Sequence, residues 1–280
     1  MLLTCRVQKI SWEGLGDSPI RKYFRNVDFV RQNPMLVKDA DKQELVLRKM
    51  NYYGTDDYIR HINELEIQIF SKIDFQKPDR VSQLENGFCV KYYYYADEEN
   101  RVSGCAPVDG EICRLYANEE LVYEWKNTYG NSRFAKIIHH SDGEDYLVFD
   151  EDLYGYSVLK LSDFSCMHYL PAESYGDFPD IFEETFIWCN IFYNAENNMM
   201  AVDGCYWACP ENVVVLDFSN PMQAVEAKEW SDLYSKCCDT NEDLDEIVFE
   251  KWDGPKLVCK ADGMKPEGFN LNGKVEVEFI

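Results

Sequence analysis

The chain has 280 residues, with 28 Lys and Arg against 51 Asp and Glu, giving a net charge of −23 and a pI near 4.5. Hydrophobic residues make up 46% and aromatics 15%, enough apolar material for a core, so wholesale disorder is excluded. The missing dense basic runs argue against nucleic-acid binding, which needs clustered Lys and Arg on phosphates.

The start, Met1 to Cys5, superficially resembles a lipoprotein cleavage box, but Arg6 comes at once and no apolar h-region precedes it. No secretory signal is read there. No stretch approaches the roughly 20 apolar residues that span a bilayer, and the mean hydropathy is −0.43. An integral membrane protein is not expected. The 11 cysteines are an odd count at a density below that of a disulfide scaffold, which points to reduced thiols and a cytoplasmic location.

Residues 1 to 40 diverge from the rest of the chain. Beyond them five paired runs recur. Each first run is rich in β-branched and aromatic residues: 45 to 50 (LVLRKM), 88 to 95 (FCVKYYYY), 146 to 152 (YLVFDED), 199 to 204 (MMAVDG) and 246 to 252 (EIVFEKW). The matching second runs are 65 to 75, 110 to 125, 154 to 164, 211 to 221 and 255 to 263. With Ile67, Ile112, Val158, Val214 and Val258 as equivalents, the spacings are 45, 46, 56 and 44 residues, a period that belongs to repeat architectures. Further strands before each pair, such as 133 to 140 and 185 to 193, and an outer strand after it make four-stranded antiparallel units. A helix is expected only at 222 to 238, where Ala224, Ala227, Trp230, Leu233 and Cys237 roughly keep a helical period.

Residues 145 to 165 (DYLVFDEDLYGYSVLKLSDFS) and 197 to 221 (NNMMAVDGCYWACPENVVVLDFSNP) resemble β-propeller blades of the WD-repeat-like or quinoprotein-like kind. No unit carries the full Gly-His and Trp-Asp signature pair. The resemblance implies a single all-β domain over 1 to 280, a β-propeller of about five to six blades. The N-terminal run 2 to 10 would complete the last blade beside 274 to 280, or belong to a sixth. The alternative is a β-sandwich or meander with evenly spaced hairpins.

In a closed ring, the loops joining first and second runs emerge on one rim, and function usually sits on such loops. They nominate Tyr53, Asp56, Asp57, Tyr58, Arg101, Asp152, Tyr154, Tyr206, Trp207 and Asp253 as binding residues, an aromatic and acidic surface suited to a protein partner, basic by charge complementarity. A protein that neutralises a basic toxin or nuclease would fit by analogy. Aromatic blade caps with merely solvated acids are the bland counterpart.

Cys205 and Cys209, three residues apart, form the sharpest local motif. Zinc would need a second pair such as Cys237 and Cys238 or His139 and His140, and the spacer is not that of a zinc knuckle. Adjacent His139 and His140 point to opposite strand faces, and the other histidines are His61 and His168. No nucleophile elbow, zincin helix or phosphate loop is present, and no cofactor is expected. Carboxylate clusters at Asp56 and Asp57, Asp150 to Asp152, and Asp243 to Glu246 keep open a carbohydrate-active or other hydrolase on the same face. The spacing of acids from Asp239 to Glu246 does not match a calcium loop.

Overall fold

A computed structural model describes residues 5–12, 51–175, 185–238, 244–264 and 270–279. It is dominated by four antiparallel sheets of four strands each. The first holds β2 (Arg80–Gln83), β3 (Phe88–Ala96), β4 (Asp109–Ala117) and β5 (Glu120–Asn127) as a meander. The second repeats the order with β6 (Ala135–His139), β7 (Asp145–Phe149), β8 (Tyr156–Lys160) and β9 (Cys166–Tyr169). The third has β10 (Ile187–Asn194), β11 (Met199–Cys205), β12 (Asn212–Asp217) and the two-residue β13 (Ser231–Asp232). In the fourth, β14 (Leu244–Asp253), β15 (Lys256–Met264) and β16 (Asn270–Phe279) are completed by β1 (Cys5–Trp12). β1 runs antiparallel to β16 with Cys5 opposite Phe279, the first of the two placements open to the N-terminal run.

Strand alternation gives the first three sheets two apolar faces each, whereas the fourth turns one such face, with Leu257, Cys259, Ala261, Val275 and Val277, to its neighbour and leaves Lys260 and Asp262 exposed on the other. Val90, Tyr92, Cys113 and Leu115 of the first sheet pack on Leu147, Phe149 and Leu159 of the second. The second sheet turns Tyr146, Val148, Tyr156 and Val158 toward Trp188, Met200, Val202 and Val214 of the third. Met199, Ala201, Val213 and Val215 then meet Leu257, Cys259 and Ala261 of the fourth. Trp188 is fully buried. Removing an indole of about 200 Å² from water contributes on the order of 5 kcal/mol.

Turns of neighbouring sheets touch along one rim. His139 Nε2 meets Glu85 at 2.9 Å, Ser141 Oγ donates to Asn198 at 2.5 Å, and Asn197 Nδ2 donates to the Pro255 carbonyl at 2.8 Å. The β2–β3, β6–β7, β10–β11 and β14–β15 turns therefore share a rim. The β3–β4, β7–β8 and β11–β12 connections leave from the opposite ends of the strands.

The run 65 to 75 is not a strand: Asp56–Gln68 form helix α1, then a 3-10 turn at Phe70–Lys72, while 45 to 50 lies outside the described residues. Thr55 caps α1, its Oγ1 accepting from the Tyr58 N–H at 3.2 Å, and Asp56 and Asp57 sit where the helix dipole favours anions. Leu65, Ile69, Phe70 and Ile73 cover Tyr93 and Ile112, the face of the first sheet turned away from the second. The last unit is also offset by one strand. Val258 lies in the second strand of its sheet, whereas Ile112, Val158 and Val214 lie in the third strand of theirs. Within 222 to 238 only Leu233–Cys238 (α2) is α-helical, with a 3-10 turn at Ala227–Glu229. Among the described residues no helix is long and apolar enough to cross a membrane.

Candidate binding site

The segment before α1 is laid against β9, the outer strand of the second sheet. Asn51 bridges to Pro171, its side chain donating to the His168 carbonyl at 2.7 Å and accepting from the Leu170 N–H at 3.0 Å. The Tyr52 N–H donates to the Leu170 carbonyl at 2.8 Å. Gly54, at φ 74°, then turns the chain into the Thr55 cap, a conformation that costs glycine little.

This path gathers rings that are far apart in sequence. Tyr53 stacks on the His168 imidazole, centroids 4.0 Å apart and planes 7° apart, and also contacts Tyr58 at 4.7 Å. Tyr52 meets Tyr58 edge-on at 5.8 Å and stacks on Tyr175 at 4.8 Å, and Tyr175 meets Tyr154 at 6.1 Å. All five tyrosines are half-buried. Exposed Asp56 lies on the same first helical turn as Tyr58, and Asp57 pairs with Arg60.

Beneath the rings lies Glu151, 4% exposed. Its Oε2 accepts from His168 Nδ1 at 2.5 Å and from the Ser157 hydroxyl, and its Oε1 accepts from the Tyr58 hydroxyl at 3.4 Å. Ser157 and His168 are direct partners across β8 and β9, which sets the imidazole over the carboxylate. The Tyr123 hydroxyl of the first sheet lies 3.3 Å from His168 Nε2. Burial alone would lower the His168 pKa, but hydrogen bonds from the ring to Cys166 and Glu151 and their negative charge raise it to about 10. Burial and the nearby Glu151 charge push Tyr53 up to about 12 and raise Tyr58 further.

Asp150 and Asp152 flank Glu151 and are buried. Asp150 accepts from the Arg133 N–H at 2.8 Å and lies 3.4 Å from the Arg133 guanidinium, yet burial raises its pKa to about 6. Asp152 accepts from Thr128 Oγ1 at 2.6 Å and from the Leu153 N–H at 2.5 Å, and burial raises its pKa too. Both tie the β7–β8 connection to the linker between the first and second sheets.

The nominated residues thus divide. Tyr53, Asp56, Asp57, Tyr58 and Tyr154 belong to one patch, with Asp152 buried beneath it. Arg101 is elsewhere, on the β3–β4 connection, donating to the Cys105 carbonyl at 2.8 Å. Tyr206 packs edge-on against Phe186 at 5.4 Å, and Trp207 is 57% exposed on the β11–β12 connection. Asp253 lies on the opposite rim, beside Gly254, whose carbonyl accepts from Asn194 at 2.8 Å. The one-strand offset of the last unit puts it there. Cys205 and Cys209 are not disulfide-bonded, and no group of three or more His, Cys, Asp or Glu among the described residues is arranged to hold a metal.

Glu151, His168, Tyr123, Tyr52 and Tyr175 were not nominated by the loop map. The usable signal was strand parity: Met167 and Tyr169 face the core shared with the third sheet, so His168 and Cys166 must face the first.

No family model and no curated protein matches this chain. Solved structures give distant likenesses. A protein of unknown function from Dyadobacter fermentans is 9% identical with a TM-score of 0.35, over 71% of this chain and 52% of the other. A putative exo-beta-1,3-galactanase from Bifidobacterium bifidum is 12% identical with a TM-score of 0.28, over 71% and 69%. The chain thus spans about half the length of the first.

Proposed function

We propose that the four sheets are blades of a propeller-like repeat and that the chain is a non-catalytic interaction module of the cytoplasm. Its binding surface is the patch of Tyr52, Tyr53, Tyr58, Tyr154 and Tyr175 with Asp56 at its edge, and its partner is a basic protein. The observation that carries this reading is the convergence of five half-buried tyrosine rings from three separate loop segments and a helix turn. Such rings offer large contact area at low entropic cost. The net charge of −23 would steer a cationic partner toward them.

The hydrolase alternative needs carboxylates that face a substrate. Asp150 and Asp152 are buried and already accept backbone N–H groups, and Glu151 is enclosed by His168, Ser157 and Tyr58, which favours the interaction reading.

The test is affinity capture at about 50 and about 500 mM salt with wild type, Asp56→Asn and Tyr53→Ala. A basic protein retained by wild type at low salt, released at high salt and lost by both variants is expected, since steering charges are screened within about a Debye length. Equal capture by all three proteins counts against the patch.

A further inference from the structure

We propose that Asn86 is a site of spontaneous covalent modification: its side chain closes on the Gly87 nitrogen to a succinimide, water opens the ring to isoaspartate, and the β2–β3 turn loosens. This does not depend on the partner reading above. Asn86 and Gly87 form that turn, both exposed, at φ 56° and 77°. The Phe88 N–H donates to the Glu85 carbonyl at 3.1 Å, closing a two-residue hairpin loop whose central residues are both left-handed. The Gly87 N–H lies outside the β2–β3 ladder, and among the described residues no acceptor takes it. Glycine has no Cβ to screen that nitrogen.

The chain supplies its own control. Its other Asn-Gly pair, Asn272 and Gly273, lies inside β16, where Gly273 is opposite Ala261 of β15 and Trp12 of β1. The backbone of a strand paired on both sides is free to cyclise only after local opening.

Hydroxide takes the Gly87 amide proton, and the nitrogen attacks Asn86 Cγ. A C–N bond forms, the bond from Cγ to the side-chain nitrogen breaks, and ammonia leaves with the bonding pair and a proton from water. Water then adds at either ring carbonyl. Opening at the main-chain carbonyl gives isoaspartate and opening at Cγ gives aspartate, with nothing oxidised or reduced.

The turn is a place where this change has a consequence. Glu85 Oε2 lies 2.9 Å from His139 Nε2, whose Nδ1 is 2.7 Å from Asp145, so the turn carries a contact from the first sheet to the second. Isoaspartate routes the main chain through the former side chain, inserting one extra carbon and leaving a new carboxylate next to Glu85. The longer loop no longer fits the two-residue turn that sets the hairpin register.

The experiment incubates the full chain at pH 6 and pH 8, digests it in mild acid, and reads both Asn-Gly peptides by mass spectrometry with fragmentation that separates isoaspartate from aspartate. Isoaspartate is expected at position 86 at pH 8 at least about tenfold faster than at position 272, which must open first. It should form more slowly at pH 6, since the attacking nitrogen must lose its proton. Equal rates at the two positions, no product at 86, or a rate at 86 independent of pH overturns the proposal. Asn86→Gly keeps residues that suit the turn and removes the side-chain amide. Exchange of the Phe88 amide is expected to speed on incubation in wild type and not in Asn86→Gly. Unchanged exchange in the isoaspartate fraction, or equal acceleration in both proteins, overturns the loosening of the turn.

Discussion

The Tyr53 ring lies on the His168 imidazole at 4.0 Å, the two planes nearly parallel, and through this contact the segment entering α1 is fastened to the outer strand of the second sheet. The same ring contacts Tyr58, whose hydroxyl reaches Glu151, so a surface aromatic patch and a buried acid–imidazole pair form one unit. Stacked aromatic pairs are worth about 0.5–1.5 kcal/mol beyond their area. Tyr53→Ala is expected to lower the unfolding free energy by about 1–3 kcal/mol in urea denaturation. It should also speed amide exchange in α1 more than in β7 and β8. Uniform acceleration would contradict this fastening.

Thr55 caps the same helix with one side-chain hydrogen bond to the Tyr58 N–H. Thr55→Ala should cost about 1 kcal/mol, and Thr55→Ser a few tenths at most. Equal losses in both variants would show that the methyl group, not the cap, matters.

His168 has a folded pKa raised to about 10 against an unfolded value of 6.5. The proton is bound more tightly in the folded state, so this contribution to stability is fully present below pH 6.5 and is lost as pH rises through 10. Urea midpoints are expected to fall across that window in wild type and to fall less in Glu151→Gln. An unchanged slope in Glu151→Gln would argue that the carboxylate does not hold the imidazolium.

Asp203 is a carboxylate between the third and fourth sheets. It accepts from the Phe249 N–H at 2.8 Å, and burial raises its pKa from 3.8 to about 6. For an acid with a raised folded pKa, the contribution is most favourable below pH 3.8 and is lost as pH rises through about 6. Asp203→Asn keeps an acceptor for Phe249 and removes the charge. It should raise the Tm at pH 8 and leave it nearly unchanged at pH 4, checked by calorimetry at both.

Much of the strand plan was legible because alternation and turn spacing are local signals. The hairpins at 88 to 117 and 199 to 217, and the closing of the last sheet by β1 on β16, come from them. Helix α1 was missed because Leu65, Ile67 and Ile69 alternate with Glu66 and Gln68, which imitates a strand. The fold instead buries Leu65 and Ile69, four residues apart, and leaves Ile67 78% exposed. The contrary signal was Thr55 ahead of Asp56 and Asp57, a helix start. The candidate site was half legible. Tyr53 and Tyr58 share one turn of chain, but their meeting with His168 and Glu151 depends on how 51 to 55 lies along β9, which no spacing reveals.

The proposed binding face is the tyrosine patch, not the opposite rim. The most direct measurement places a photo-crosslinking residue at Asp56 or at Asp253, both exposed, and irradiates each protein in cell extract at about 50 mM salt. One discrete crosslinked basic protein is expected from position 56, abolished by adding Tyr53→Ala, and none from position 253. The same adduct from both positions, or an adduct from 253 alone, would contradict it.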